Sequence, residues 1–218
     1  MMRSRTALLL TLALVTAPAF AQTKISKVNG GIEAEAGQTY GDLDTVNGGI
    51  RIGDGAITED ASTVNGSITV GSNAKTHSLQ TVNGGIRLGS NVTVDGDIET
   101  VNGSIFVDRG GDVRSDVETV NGSIGLVGTR LGGGIETVRG DVTVGIDSHV
   151  RGGLTVKKSK GITVERRNPR IVIGPNAVIE GPLVFERPVT LYVHRSAKTG
   201  AVTGATAQIF DSATAPKE

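Results

Sequence analysis

The chain has 218 residues, no cysteine and equal numbers of acidic and basic side chains, so its formal net charge at pH 7 is zero. The absence of cysteine excludes a disulfide framework, and the balanced charge gives no reason to expect nucleic acid as a partner. Only 3% of the residues are aromatic whereas 32 are glycine, a composition that disfavours helices and favours short strands joined by frequent turns.

Residues 1–21 have the pattern of a secretory signal peptide. Arg3 and Arg5 precede an apolar stretch, and the triplet AFA that ends at Ala21 supplies a cleavage site of small residues. We expect cleavage after Ala21 and a periplasmic or secreted location, with no lipid-modified cysteine and no transmembrane segment in the remaining chain. That remaining chain carries 20 basic and 22 acidic side chains, a formal charge of −2.

A phrase of the form TVNGSI or TVNGGI then returns at intervals of 18 or 19 residues. Its asparagines are Asn29, Asn47, Asn65, Asn83, Asn102 and Asn121. The phrase weakens at Arg139 and keeps only its Thr-Val pair before Lys157. Around each copy, apolar and polar residues alternate over four to six positions bounded by Gly, Asn, Asp or Ser, as in short β-strands.

The period predicts an all-β, parallel β-solenoid of about 18 residues per triangular coil. Three strand-and-corner units fit into each period, and coils stacked about 4.8 Å apart would place equivalent residues above one another. An antiparallel meander that turns at each Asn-Gly is the alternative, but it does not account for the agreement of residue types column by column. We expect a right-handed β-helix over residues 22–200.

Two features of the coils follow from this fold. The 19-residue coils, 82–100 and 101–119, each need one extra residue at a corner, because a slip within a strand would turn its apolar face outward. Within each phrase we expect Val and Ile to point inward, Thr to point outward and Gly to adopt a positive φ. The Asn side chains would turn inward and form a hydrogen-bonded ladder, with a sugar-binding row of amides as the alternative.

The C-terminal part of the chain departs from the phrase after residue 160. Three of the five aromatic residues that follow the signal peptide lie there, namely Phe185, Tyr192 and Phe210. They predict a cap that belongs to the solenoid and closes its end. The small and polar residues 201–218 predict a flexible tail.

A basic segment follows the last weakened copy of the phrase. Within residues 151–170 the only acidic residue is Glu165, and the basic residues are Arg151, Lys157, Lys158, Lys160, Arg166, Arg167 and Arg170. Such a patch could bind an anionic glycan or lipid head group. The alternative is a solvated face that prevents stacking of one solenoid on another.

No catalytic, cofactor-binding or metal-binding motif is recognisable. The three histidines stand in separate contexts, and aspartates in glycine-rich corners are typical of turns; these residues are His77, His149 and His194, and Asp54, Asp95, Asp97 and Asp112. The in-phase Glu99, Glu118 and Glu136 are expected to face solvent. We therefore expect no enzyme and no cofactor, with a polysaccharide-active enzyme as the alternative.

The tandem TVNGSI and TVNGGI phrases, the 18-residue coil and the export signal resemble the adhesin-like family of exported bacterial short-coil solenoids, over residues 25–165. A weaker similarity is to bactofilins, which polymerise end to end, and IVIGPNAVIEG is similar to the hexapeptide repeat of left-handed acyltransferases. The resemblance implies a non-enzymatic envelope or secreted protein that acts in adhesion or as a scaffold. Glycan binding and filament formation are the alternatives, with envelope glycans, other envelope proteins or further copies of the chain as partners.

Overall fold

A computed structural model describes residues 23–159 and 167–216, and within these ranges the chain forms strands and turns but no helix. The strands build three parallel sheets, two of ten strands and one of seven, in which each strand pairs with the equivalent strands of the coils before and after it. This is the predicted parallel β-solenoid, with about ten turns. The predicted signal peptide lies outside the described residues.

The first sheet carries the repeated phrase. Its strands are β1 Thr23–Asn29, β3 Tyr40–Asn47, β5 Ala61–Asn65, β8 Leu79–Asn83, β11 Ile98–Asn102, β14 Val117–Asn121, β17 Ile135–Thr137, β20 Leu154–Val156, β23 Leu183–Phe185 and β26 Val202–Thr203. The second sheet follows each Asn-Gly corner. Its strands are β2 Ile32–Ala34, β4 Ile50–Ile52, β6 Ile68–Val70, β9 Ile86–Leu88, β12 Ile105–Val107, β15 Ile124–Leu126, β18 Val142–Val144, β21 Arg170–Ile173, β24 Thr190–His194 and β27 Ala207–Phe210.

The third sheet has the shortest strands. They are β7 Lys75–Thr76, β10 Thr93–Val94, β13 Asp112–Val113, β16 Arg130–Leu131, β19 His149–Val150, β22 Val178–Ile179 and β25 Lys198–Thr199. The first coils contribute single bridges to this side, from Thr39 to Ile57 and from Ile57 to Lys75. Every coil therefore has three sides.

The strand registers stay in phase through the 19-residue coils. Asn83 pairs with Asn102, and Asn102 with Asn121, without a slip inside the strands. The extra residue lies in the corner between the third and first sheets, which has three residues between Val94 and Ile98 but two between Thr76 and Leu79. The prediction of an insertion at a corner is confirmed.

The core consists of stacked aliphatic columns that run the length of the solenoid. In the first sheet the column passes through Leu43, Leu79, Ile98 and Leu154, and in the second through Ile50, Ile86 and Ile124, all at most 2% exposed. At about 25 cal/mol per Å² of apolar surface removed from water, columns of this kind stabilise each coil mainly through contact with its neighbours.

The directions predicted for Thr and Val are wrong. The threonines are buried and the valines exposed: Thr45, Thr63, Thr81, Thr100 and Thr119 are at most 5% exposed, whereas Val46, Val64, Val82, Val101 and Val120 are 39–41% exposed. The reason is the period of two along a strand, since a residue two positions after the inward Leu or Ile column must also face inward. Each buried hydroxyl donates a hydrogen bond to a glycine carbonyl of the preceding coil, as Thr81 Oγ1 does to Gly66 O at 2.8 Å.

The glycine of the phrase is needed for close approach of the coils more than for its backbone angles. A Cβ atom on Gly66, Gly84 or Gly103 would collide with the carbonyl oxygen of the equivalent glycine in the preceding coil. Among the glycines that directly follow the asparagines of the phrase, Gly30 and Gly122 have a positive φ. The others are required by the close approach of the preceding coil and not by their backbone angles. The predicted reason for these glycines is therefore corrected for most copies.

The solenoid continues beyond the last copy of the phrase. Val142 of β18 pairs with Ile171 of β21, so the second sheet keeps its register between these two strands. Just before β21, the guanidinium of Arg167 donates two hydrogen bonds of 2.8 Å to the carboxylate of Asp141, the residue that precedes β18. Burial opposes ionisation of Asp141, but these bonds and the backbone N–H of Arg170 outweigh it and lower the pKa of Asp141.

Regular structure ends at Phe210 rather than at residue 200. Strands β26 and β27 fall within the segment predicted as a tail, and β27 pairs with β24 over four residues. The aromatic residues predicted for the cap are divided between two clusters. Phe185 lies in the main core, whereas Tyr192 and Phe210 pack with Val172 and Ala215 in a separate cluster on the outer side of the second sheet.

Candidate functional site: the outer groove of the first sheet

The asparagines of the phrase form an uninterrupted series of side-chain hydrogen bonds on the surface. Each Nδ2 donates to the Oδ1 of the preceding coil over 2.9–3.1 Å, from Asn47 to Asn29 and onward to Asn121. The bonds lie at exposed positions, so the predicted inward direction of these side chains is wrong. The amides are engaged with one another, which leaves fewer of their donors and acceptors for a sugar.

A groove runs beside this series on the outer face of the first sheet. It has a volume of about 390 Å³, and its floor consists of four of the exposed valines described above together with the partly buried Val138. We call these residues, Val64, Val82, Val101, Val120 and Val138, the valine stripe. Contiguous exposed apolar surface of this kind typically marks an interaction site on a soluble protein.

A column of polar side chains forms one wall of the groove. It contains Ser62, Gln80, Glu99, Glu118 and Glu136, which are paired strand to strand from β5 to β17. The three glutamates are only partly exposed, so their prediction as solvent-facing residues holds in direction but not in full exposure. Burial raises the pKa of Glu118, and the carboxylates of Glu136 and Glu99 raise it further.

Thr155 follows Glu136 in this column, and Lys157 follows Val138 in the neighbouring row, at the end of the groove where the phrase fails. The Nζ of Lys157 forms an ion pair with Glu136, and hydrogen bonding to that carboxylate is the main cause that raises the pKa of Lys157. The groove therefore has an apolar floor and a wall that is neutral at one end and acidic at the other. Its surface suits an extended ligand that carries apolar and cationic groups.

The predicted basic patch is distributed over three faces. Arg151 extends from the third sheet, Lys157 lies at the groove of the first, and Arg170 sits over the Tyr192 ring on the second, 5.1 Å from its centroid. The backbone N–H of Lys158 bonds to Glu186, and Arg167 binds Asp141. Lys160 and Arg166 lie outside the described residues. The described members thus form separate contacts rather than one patch.

The histidines also belong to separate surroundings, but one has an acidic partner that the sequence did not indicate. His149 Nε2 lies 2.6 Å from Glu180 Oε1, a residue 31 positions away on the next coil. His194 contacts Ser196 and the Phe210 ring. In the described ranges, no group of three or more His, Cys, Asp or Glu residues is arranged to hold a metal ion.

Two of the four aspartates that the sequence places in corners accept hydrogen bonds from the following coil. Asp54 Oδ1 accepts from the backbone N–H of Ser72 at 2.7 Å, and Asp97 Oδ1 accepts from the N–H of Asp116 at 3.1 Å and from the hydroxyl of Ser115. Each of these bonds joins one coil to the next. Asp95 and Asp112 instead form ion pairs with Arg114 and Arg130, and Asp112 lies in strand β13, so the predicted turn role does not describe these two residues.

Sequence reasoning named Arg151 but missed Arg114 and Arg130, the other two arginines of the third sheet. Arg114, Gly132 and Arg151 are spaced by 18 and 19 residues, so the repeat period applied to charged residues, rather than to the phrase alone, would have placed them in one column.

Across the described residues there is no helix long and apolar enough to cross a lipid bilayer. Comparisons of the chain with protein-family models, curated proteins and solved structures each gave no match.

Proposed function

We propose that this protein is a non-enzymatic, exported scaffold that presents the groove of the first sheet to another component of the bacterial envelope, in the manner of an adhesin. The observation that carries the proposal is the valine stripe, in which Val64, Val82, Val101 and Val120 are 39–41% exposed on successive coils. The glycines, threonines and asparagines hold the coils together, and the exposed valines add an apolar row on the outer face of the sheet.

The stripe and its wall define the partner's chemistry. Successive valines lie about 4.8 Å apart along the solenoid axis, so a partner that follows the stripe must be extended in the same direction. The wall contributes Glu99, Glu118 and Glu136, which favour cationic groups on that partner. An extended segment of an envelope protein with apolar and basic side chains fits both features.

The test is binding of purified protein to isolated bacterial envelopes, measured by co-sedimentation. The variant Val101→Asn/Val120→Asn removes the centre of the stripe, and Thr69→Asn/Thr143→Asn places the same residue type on the outer face of the second sheet as a control. We expect the wild type and the control to sediment with envelopes and the valine variant to stay in the supernatant. Equal sedimentation of all three proteins would refute the proposal.

Assembly into filaments is a second candidate, favoured by the ends of the solenoid. Ile209 pairs with the inward-facing Val193, yet it is 61% exposed because β27 is the last strand of its sheet in the described chain. Edge strands with apolar residues are templates for further pairing. Electron microscopy of the purified protein tests this candidate, since filaments would support it and short single rods would exclude it.

A further inference from the structure

The outer face of the third sheet carries two parallel columns of side chains that the proposed function does not use. Residues two apart on a strand face the same side, so each coil contributes one member to each column. The first column contains Lys75, Thr93, Asp112, Arg130, His149, Val178 and Lys198. The second lies two residues further along and contains His77, Asp95, Arg114, Gly132, Arg151 and Glu180. Between the columns, Val113, Leu131 and Val150 point into the core.

Gly132 leaves a gap in the second column. It stands between Arg114 on the coil before and Arg151 on the coil after, and the recess above it has a volume of about 440 Å³. With coils about 4.8 Å apart, the two arginines arise roughly 10 Å from each other. A Cβ atom on Gly132 would collide with the backbone of Arg114, so the packing of the coils keeps the gap open.

The lining of this recess is predominantly cationic. Arg114, Arg130 and Arg151 surround it together with His149, against a single carboxylate, Asp112. Two of the guanidiniums have carboxylate partners, Arg114 with Asp95 at 2.7 Å and Arg130 with Asp112 at 3.5 Å. Such pairs orient a guanidinium while leaving further N–H donors for a ligand, because each guanidinium has five. Within the described ranges Arg151 has no ion pair of its own.

We propose that this recess binds an oxyanion group, a carboxylate or a sulfate, of an acidic polysaccharide that lies along the solenoid axis. Guanidinium groups present paired donors that match the two oxygens of such groups. The three arginines occupy three successive coils, so a linear polymer can place an anionic group between each neighbouring pair. The inference concerns a different face from the valine stripe and does not depend on the proposed function.

Two features favour a polysaccharide over the other polyanions. The two columns also contain Asp95, Asp112 and Glu180, which would be pressed against the head groups of an anionic membrane and repelled. Nucleic acid is usually held by aromatic side chains in addition to basic ones, and neither column described above includes an aromatic residue other than histidine. A flexible glycan can place its carboxylate or sulfate groups at the arginines and keep them away from the protein carboxylates.

The experiment measures binding of the purified protein to polygalacturonate and to heparin by isothermal titration calorimetry, with neutral dextran as the uncharged probe. Arg151→Gln removes the guanidinium without an ion pair, and Arg87→Gln is the matched control on the second sheet, where the guanidinium lies over the Phe106 ring. We expect Arg151→Gln to weaken binding of the acidic polymer that the wild type binds by about tenfold, because the variant loses a charge-assisted pair of hydrogen-bond donors. Arg87→Gln should leave the dissociation constant within about twofold, and unchanged thermal unfolding would show that both variants are folded.

Several results would overturn the inference. One is the absence of binding to either acidic polymer, and another is equal weakening by Arg151→Gln and Arg87→Gln, which would indicate only a diffuse surface charge. A third is binding to phosphatidylglycerol vesicles with no binding to the polymers, which would assign the recess to a membrane surface. None of these results changes the sedimentation test of the valine stripe, so the two proposals fail separately.

Discussion

Thr100 illustrates why threonine, and not the neighbouring valine, faces the core in the first sheet. The sequence offers two apolar columns, Leu or Ile and Val, placed three residues apart, and both cannot face inward on a strand of period two. The Leu or Ile column is buried, and Thr follows it inward because its Oγ1 finds the carbonyl of Gly84 at 3.0 Å. That acceptor belongs to the preceding coil, so the repeated phrase does not disclose it, and hydrophobicity alone places Val inside.

Replacement of Thr100 by Val tests this role at nearly constant shape. The Gly84 carbonyl would lose its buried donor, and we expect the free energy of unfolding to fall by about 1–2 kcal/mol. Thr143→Val, on the exposed outer face of β18, should change it by less than about 0.5 kcal/mol. Urea denaturation of both variants makes the comparison. Equal effects would show that the hydroxyl of Thr100 contributes nothing specific.

Asn83 is the second residue whose role can be isolated. It donates to Asn65 and accepts from Asn102, each over 3.0 Å, so Asn83→Ala removes two bonds from the surface series. Because the amides are exposed, water replaces part of the hydrogen bonding that Asn65 and Asn102 lose. We therefore expect a decrease in unfolding free energy of about 1 kcal/mol. Ser90→Ala, in a neighbouring corner, should cost less than about 0.5 kcal/mol. A smaller effect at Asn83 than at Ser90 would exclude a stabilising series.

At the scale of elements, the corner after each first-sheet strand depends on the absence of a side chain. Gly103→Ala would drive a Cβ atom into the carbonyl of Gly84, and the coils would have to separate. We expect destabilisation of about 2–3 kcal/mol, as for overpacked cores. Gly125→Ala on β15 is the control, because its Cβ would meet only the Phe106 side chain, at 3.2 Å. Thermal unfolding should separate the two variants by several degrees, and similar midpoints would contradict the close-approach explanation.

The glutamate column makes a prediction about pH. The folded-state pKa of Glu118 is raised, so its ionisation disfavours the folded state above that pKa and has no effect below the pKa of the unfolded chain. Glu118→Gln should therefore stabilise the protein by about 0.5 kcal/mol at pH 7, the usual size of a like-charge pair across strands. The gain should shrink as the pH falls to about 4. Glu35→Gln, outside the column, is the control for urea titrations at both pH values, and a gain that is independent of pH would contradict the cause.

For the whole molecule, the period alone was enough to predict the solenoid, its parallel strands and the corner insertions. These follow because identical residues stack only when every coil has the same length. The two surfaces proposed to bind ligands are harder to predict from the sequence. The sequence predicts the valines of the stripe as core residues, because a single coil does not show whether the Leu or Ile column or the Val column faces outward. The recess at Gly132 depends on side chains from three coils: the repeat period can align Arg114, Gly132 and Arg151, but the lining of the recess by Arg130 and His149 follows only from the packing of the third sheet.

The coil should therefore behave as a removable unit. Deletion of residues 65–82 joins Val64 to Asn83 and keeps the phrase, so that Asn47 and Gly48 would stack against Asn83 and Gly84 as they now do against Asn65 and Gly66. We expect a folded protein with a slightly smaller dependence of unfolding free energy on urea, because less surface is exposed on unfolding. Deletion of residues 65–73 removes half as many residues. It also removes the second-sheet strand β6, so that a third-sheet strand directly follows a first-sheet strand.

The shorter deletion should be the more damaging of the two. It breaks the order of the three sides, so the inward columns of the following coils no longer meet those of the preceding ones. Circular dichroism and urea denaturation should show a cooperative transition for the 18-residue deletion and loss of that transition for the nine-residue deletion. Greater stability of the nine-residue deletion would mean that stability follows the number of residues kept rather than the stacking of complete coils.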